Sequence, residues 1–267
     1  MTQVPIIVVP DPETPGSADV KVDIEVGGRR YRCELDTGAA RTTLVSDEYL
    51  ASLPACGTDS SARAFSAHND DLVTIPGLAV GPLSVGPVEV ARVPAGPHRR
   101  CRLGMDILGR YCCRFRFDAG ILELTDSPDP AATLPLQVGD RGHLYLTLRW
   151  EGISASACWD SGAGITLVDQ SFHRAHRRLF AEAGTTVGHD GSGASFQTPV
   201  YLMSGPMIGG VQFGPSLAAV IDMSPMNHGL LYPMDIIVGY PTYGQAEWLF
   251  DVPGRRWQAP RLVAQPG

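Results

Sequence analysis

Nowhere in this sequence do about 18 apolar residues run together, which excludes a membrane-crossing helix as its organising element. Basic residues are outnumbered, and a net charge of −7 leaves no electrostatic footprint for phosphate backbones or anionic lipid. Neither nucleic acid nor a membrane is expected as a partner. The six cysteines, Cys33, Cys56, Cys101, Cys112, Cys113 and Cys158, form no CxxC pair. Most sit in strand-like apolar surroundings where a reduced thiol behaves as a small hydrophobe, so buried thiols are expected rather than disulfides. The segment Met1 to Pro15 lacks a basic stretch followed by a long apolar run and a small-residue cleavage site. The chain is therefore read as soluble and cytoplasmic.

Glycine and proline, 30 and 22 of the 267 residues, are spread along the chain as punctuation between short runs of Val, Ile, Leu and Thr, which favours an all-β build. Val20-Lys21-Val22-Asp23-Ile24-Glu25-Val26 alternates with period two and then meets Gly27-Gly28, predicting a half-buried strand and a hairpin. Leu144 to Trp150 followed by Glu151-Gly152 repeats the pattern. Thr125 to Pro135, rich in Pro and Asp, reads as a linker. Domain-size priors then divide the chain into residues 1–126 and 134–267. Only Ser46 to Leu53 and Asp169 to Ala183 look helical.

Asp36-Thr37-Gly38-Ala39 and Asp160-Ser161-Gly162-Ala163 stand 124 residues apart, one in each half. A single Asp-Thr-Gly is an ordinary surface-turn composition, in which the Asp merely caps its own backbone. Two copies, each entered by a strand-like run and left by a matching one (Thr42 to Val45, Thr166 to Val168), indicate a duplicated site. The correspondence continues through Leu103-Gly104-Met105 and Val238-Gly239-Tyr240, then Phe115-Arg116-Phe117-Asp118 and Trp248-Leu249-Phe250-Asp251. The chain is accounted for by two copies of one unit.

In these motifs the chain resembles the retropepsin-like aspartic proteases, with two retropepsin-sized lobes fused in one polypeptide as in pepsins. The resemblance implies two pseudo-symmetric β-barrel lobes with one or two short helices, and a monomer that is an intramolecular pseudo-dimer. It also implies peptide-bond hydrolysis by a water activated between Asp36 and Asp160, with no cofactor and no metal. Two carboxyls in contact cannot both ionise cheaply, so they share a proton, and one serves as base while the other serves as acid. Thr37 and Ser161 are expected to bond across to the opposite backbone. Gly38 and Gly162 are expected to admit backbone amides to the carboxylates. Ala39 and Ala163 carry no hydroxyl to stabilise the ionised form, which implies a less acidic working pH.

Two positions depart from the family. Where acidic residues often follow the turn, this chain has Ala40 and Arg41, and Gly164 and Ile165. Two before the second-motif glycine, where an apolar residue lines the substrate pocket, Ile237 conforms and Arg102 does not. One expectation is that Arg102, with Arg41, faces the cleft and recognises an anionic group; the other is that Arg102 pairs with Asp106 or another acid at the site's edge. The substrate is accordingly a peptide or a small anionic molecule. The second case describes a non-proteolytic enzyme performing isomerisation, cyclisation or elimination with the same dyad, and a third option is a non-catalytic peptide-binding module. Hairpin tips are placed near Phe65 to Asp70 and near Gly188 to Ala194, the latter glycine-rich and lid-like, with His68 and His189 above the cleft. His173 and His176 lie three apart on a predicted helix but among arginines and without a third ligand, so no metal is assigned there. No phosphate-loop pattern or serine nucleophile elbow is present.

Overall fold

The computed structural model describes residues 2–62, 67–96, 99–189 and 195–263, of which 60–62, 67–68, 187–189 and 195–196 are described in backbone only. The chain is mostly β. Ala18–Val26 and Arg29–Leu35 form the first predicted hairpin, with inward residues alternating along the strand and Gly27 and Gly28 at φ 57° and 76°. Both turn positions need the left-handed region, which glycine enters without steric cost. Leu144–Trp150 and Ile153–Trp159 form the second hairpin.

Each hairpin's second strand delivers its chain directly into an Asp turn, and the surrounding pairings recur in the same order. Arg29–Leu35 is flanked in parallel by Cys101–Leu103, which pairs antiparallel with Thr43–Val45, itself parallel to Val88–Val93. Ile153–Trp159 is flanked in parallel by Ile236–Val238, which pairs antiparallel with Thr166–Asp169, itself parallel to Ser216–Ile221. Outside these lie the hairpins Ala55–Ala62/Ala67–Ile75 and Phe180–His189/Ser195–Met203. Of the tips expected near Phe65 to Asp70 and Gly188 to Ala194, residues 67–70 and 188–189 belong instead to the paired strands, and 63–66 and 190–194 fall outside the described residues.

The two stretches expected as separate domains share a sheet. Cys112–Arg116 pairs antiparallel with Ala246–Asp251, placing Phe115 opposite Trp248, and Leu134–Pro135 pairs with Arg256–Leu262. One apolar core runs through both stretches. At its centre the Trp159 ring packs at a tilt against Phe115 and Phe250, with ring centroids 4.8 Å apart in each case, and against Tyr243 at 5.3 Å. Such fully buried aromatics each remove a large apolar area from water.

The expected barrels are not formed: among the described residues no sheet closes. Barrel closure requires the two edges of a sheet to pair. Here the larger sheet runs open from Ala55–Ala62, a hairpin strand, to Leu134–Pro135, a two-residue strand. Helix content also departs from expectation. The predicted helix over Asp169 to Ala183 ends early, with Gln170–Ala175 helical, Arg177–Leu179 a 3₁₀ turn, and Phe180 onward a strand paired to Met203. Long-range pairing overrides the helix propensity of Ala181-Glu182-Ala183. Short helices also follow each second-motif glycine, at Met105–Leu108 and Tyr240–Tyr243, and a further one spans Ser224–Asn227. All six cysteines are free thiols, and all but Cys56 are buried. No helix among the described residues is long and apolar enough to cross a membrane.

Candidate active site

Parallel pairing fixes where each Asp emerges. The Asp36 N–H donates to Leu103 O at 3.1 Å and the Asp160 N–H to Val238 O at 3.2 Å, so each turn begins at the same point of the same strand arrangement. The turns then interlock. A Cβ on Gly38 would stand 2.6 Å from Asp160 Cγ, and a Cβ on Gly162 would stand 2.5 Å from Asp36 Cγ. Each glycine therefore lies against the opposite aspartate, and no larger residue fits. Asp160 Oδ1 accepts from Gly38 N at 3.0 Å and from Gly162 N at 2.8 Å. Asp36 and Asp160 are close enough that the charge of Asp160 raises the Asp36 carboxyl.

Thr37 and Ser161 brace the crossing. The Thr37 N–H donates to Ser161 Oγ at 3.1 Å, and the Ser161 N–H to Thr37 Oγ1 at 3.0 Å. The hydroxyls in turn donate across the seam, Thr37 to Trp159 O at 3.0 Å and Ser161 to Leu35 O at 2.6 Å. All four groups are buried. Ala39 and Ala163 close the two turns through backbone bonds to Asp36 O and Asp160 O.

Burial, and next the charge of Asp160, push the Asp36 carboxyl up to about 7, against the pull of Arg102. Burial also raises Asp160, while the Gly162 and Gly38 amides draw it back. Crowded carboxyls out of water hold a proton that bulk solvent would remove.

Arg102 lies in the site and pairs with acids, though not with Asp106. Its Nε is 3.1 Å from Asp36 Oδ2 and 3.3 Å from Glu34 Oε2, and all three side chains are 12–13% exposed. Asp106 is not its partner. That carboxylate faces the other way and accepts from Thr42 N at 2.8 Å and Thr42 Oγ1 at 2.7 Å, holding the loop beneath the turn. Arg41 is directed to Asp59 and Glu89, at 3.5 and 4.0 Å, and is not brought to the dyad. Ile237 is buried with Tyr145, Cys158 and Met223, and Ala163 packs against that cluster. The side chains of His68 and His189 lie outside the described residues.

Register makes the two flanks of the dyad equivalent in place and opposite in chemistry. On one side Lys21, Glu34 and Arg102 are successive cross-strand partners; on the other, Tyr145, Cys158 and Ile237 are. Glu34 and Cys158 stand two residues before their aspartates, on the same strand face. Strand alternation was the signal for Glu34, whose role the motif reading missed. His143 was missed too. Its Nε2 is 3.0 Å from Gly38 O while its buried Nδ1 has no partner among the described residues, and burial lowers its pKa. A contact spanning 105 residues leaves no local pattern to read.

A cavity of about 520 Å³ is bounded by Leu134, Tyr145, Thr147, Arg149, Met207 and Trp257 among others, and neither aspartate lines it. No protein-family model matches the chain, and no curated protein matches it.

Proposed function

We propose that this chain is an aspartic endopeptidase with the two-lobed retropepsin-like arrangement, active as a monomer within the cytoplasm. A water held between Asp36 and Asp160 would give a proton to the ionised carboxylate and attack the peptide carbonyl. The protonated carboxyl would donate to the carbonyl oxygen as it gains charge. Neither metal nor cofactor enters this chemistry. The observation that carries the reading is the interlock of the two turns, in which the buried Asp36 and the half-buried Asp160 each lie against the other turn's glycine, braced by Thr37 and Ser161. A lone turn-capping Asp needs neither the burial nor the opposite aspartate.

A second reading takes its support from Arg102. A guanidinium in contact with a dyad carboxylate suits acid–base chemistry on a small anionic molecule, with hydrolysis of peptides absent.

The two are separated by incubating wild type, Asp36→Asn and Asp160→Asn with a diverse peptide mixture between about pH 4 and 8, with and without a statine-type inhibitor that mimics the tetrahedral intermediate. Cleavage that needs both aspartates and is blocked by the inhibitor is the expected result. Intact peptides in wild type, in a protein that still folds, would reject the peptidase.

A further inference from the structure

A cation at contact distance from a catalytic carboxylate works against a shared proton, because it favours the ionised form. Burial and the charge of Asp160 raise Asp36 against that pull, and a second acid beside Arg102 would weaken the pull further. The strand arrangement supplies it. Arg29–Leu35 carries Glu34 on the same face as Asp36, and Cys101–Leu103 runs parallel with Arg102 in register with Glu34. Arg102 Nε is thereby an ion-pair partner of both acids, 3.1 Å from Asp36 and 3.3 Å from Glu34.

Glu34 is in turn held from behind. Its other oxygen, Oε1, lies 3.2 Å from Arg100 Nε and 3.5 Å from Lys21 Nζ, and Asp19 closes the group on those two cations. Burial, with a smaller push from the charge of Asp36, raises Glu34, while Arg102, Lys21 and Arg100 oppose that and favour its charge. Oε2 is left facing Arg102. Cys33 and Cys101 are register partners in the same two strands, and each lies next in sequence to one member of the ion pair. Beyond the pair, the groups facing the dyad are His143 from the segment before Leu144, and Cys158 and Tyr243 from the second half.

We propose that Glu34 is a positioning residue that keeps Arg102 from engaging Asp36 alone, so that the two aspartates retain one proton beside a guanidinium. This rests on the dyad reading given above, and it explains how an arginine can occupy a position where its counterpart is Ile237. Remove Glu34, and Asp36 becomes the sole ion-pair partner of Arg102 among the described residues.

The test follows the dyad directly, by ¹³C NMR of protein labelled at the aspartate carboxyl carbon, in wild type, Glu34→Gln, Arg102→Met and the double variant. Arg102→Met is expected to move the dyad titration up by about one pH unit and Glu34→Gln to move it down by about as much. In the Arg102→Met background the Glu34→Gln shift should shrink to less than half, because no guanidinium remains to be released. An equal shift in both backgrounds, or an upward shift in Glu34→Gln, overturns the proposal. Should Glu34→Gln not fold, Arg100→Met serves, since Arg100 is half exposed and its loss frees Glu34 to hold Arg102 harder. The titration must then rise; an unchanged or lowered one overturns the proposal. No substrate is required, so the outcomes separate. The expected pattern in a protein that cleaves no peptide rejects the peptidase and keeps Glu34's role, and a peptidase whose dyad ignores Glu34 does the reverse.

Discussion

Thr37 and Ser161 each donate a backbone N–H to the other's hydroxyl, at 3.1 and 3.0 Å, across 124 residues of chain. Removing either hydroxyl strands a buried donor on the partner turn and a buried carbonyl, Trp159 O or Leu35 O. Ser161→Ala and Thr37→Val are each expected to cost about 1–3 kcal/mol, and the double variant less than the sum. Thermal or urea unfolding of the three proteins measures this. Additive losses would show that the two residues act separately.

Gly38→Ala and Gly162→Ala test the interlock. In each, the new methyl would meet the opposite Asp at about van der Waals overlap, with the nearest carboxyl carbon at 2.6 and 2.5 Å. The turns must separate to admit it, and displacement of about 1 Å at a reacting group lowers rate by about a hundredfold. Circular dichroism checks the fold and kcat the chemistry. Activity within a few-fold of wild type would contradict the close approach.

pH dependence follows from the raised carboxyls. Asp36 has a folded pKa pushed up to about 7 from an ordinary 3.8, so the folded state binds a proton that the unfolded chain has already released. Its contribution is fully present below the ordinary value and is lost as pH climbs toward 7. Stability should thus fall across that window, and Asp36→Asn should flatten the fall. Denaturant midpoints at about four pH values between 4 and 8 check the sign. Dyad-dependent hydrolysis should likewise decline above about pH 7, as the shared proton leaves.

His143→Phe keeps an aromatic ring and removes the bond to Gly38 O at 3.0 Å. The first turn loses a brace without losing a ligand for substrate. A fall in kcat of about ten- to a hundredfold with KM unchanged is expected. A rise in KM alone would place His143 in substrate binding.

How much of this could be read beforehand depends on the range of the interaction. The Asp turns, their hydroxyl and glycine neighbours and the hairpins entering them were legible, because each is a local pattern and each occurs twice. Arg102 was singled out because a cation stood where its counterpart is Ile237. An acid partner was expected, but of the acids only Asp106 could be named because it is near in sequence, whereas Glu34 is a neighbour only once two strands lie in parallel register. The helix expected to reach Ala183 failed for a related reason. Phe180 to Val187 is decided by the strand opposite, Ser195–Met203, and not by its own propensities. Open sheets in place of barrels, and the sheet common to both stretches, depend on which edges meet, and composition carries no trace of that.

That common sheet has a consequence for how the molecule can be dissected. With Cys112–Arg116 hydrogen-bonded to Ala246–Asp251, neither repeat owns a finished hydrophobic layer, and a fragment ending after residue 126 would bare a strand edge and the face of Phe115. Such an edge invites pairing with another chain. The two stretches are thus obliged to stay together, and one molecule can carry opposite chemistries at like register positions, a guanidinium at Arg102 and an apolar side chain at Ile237.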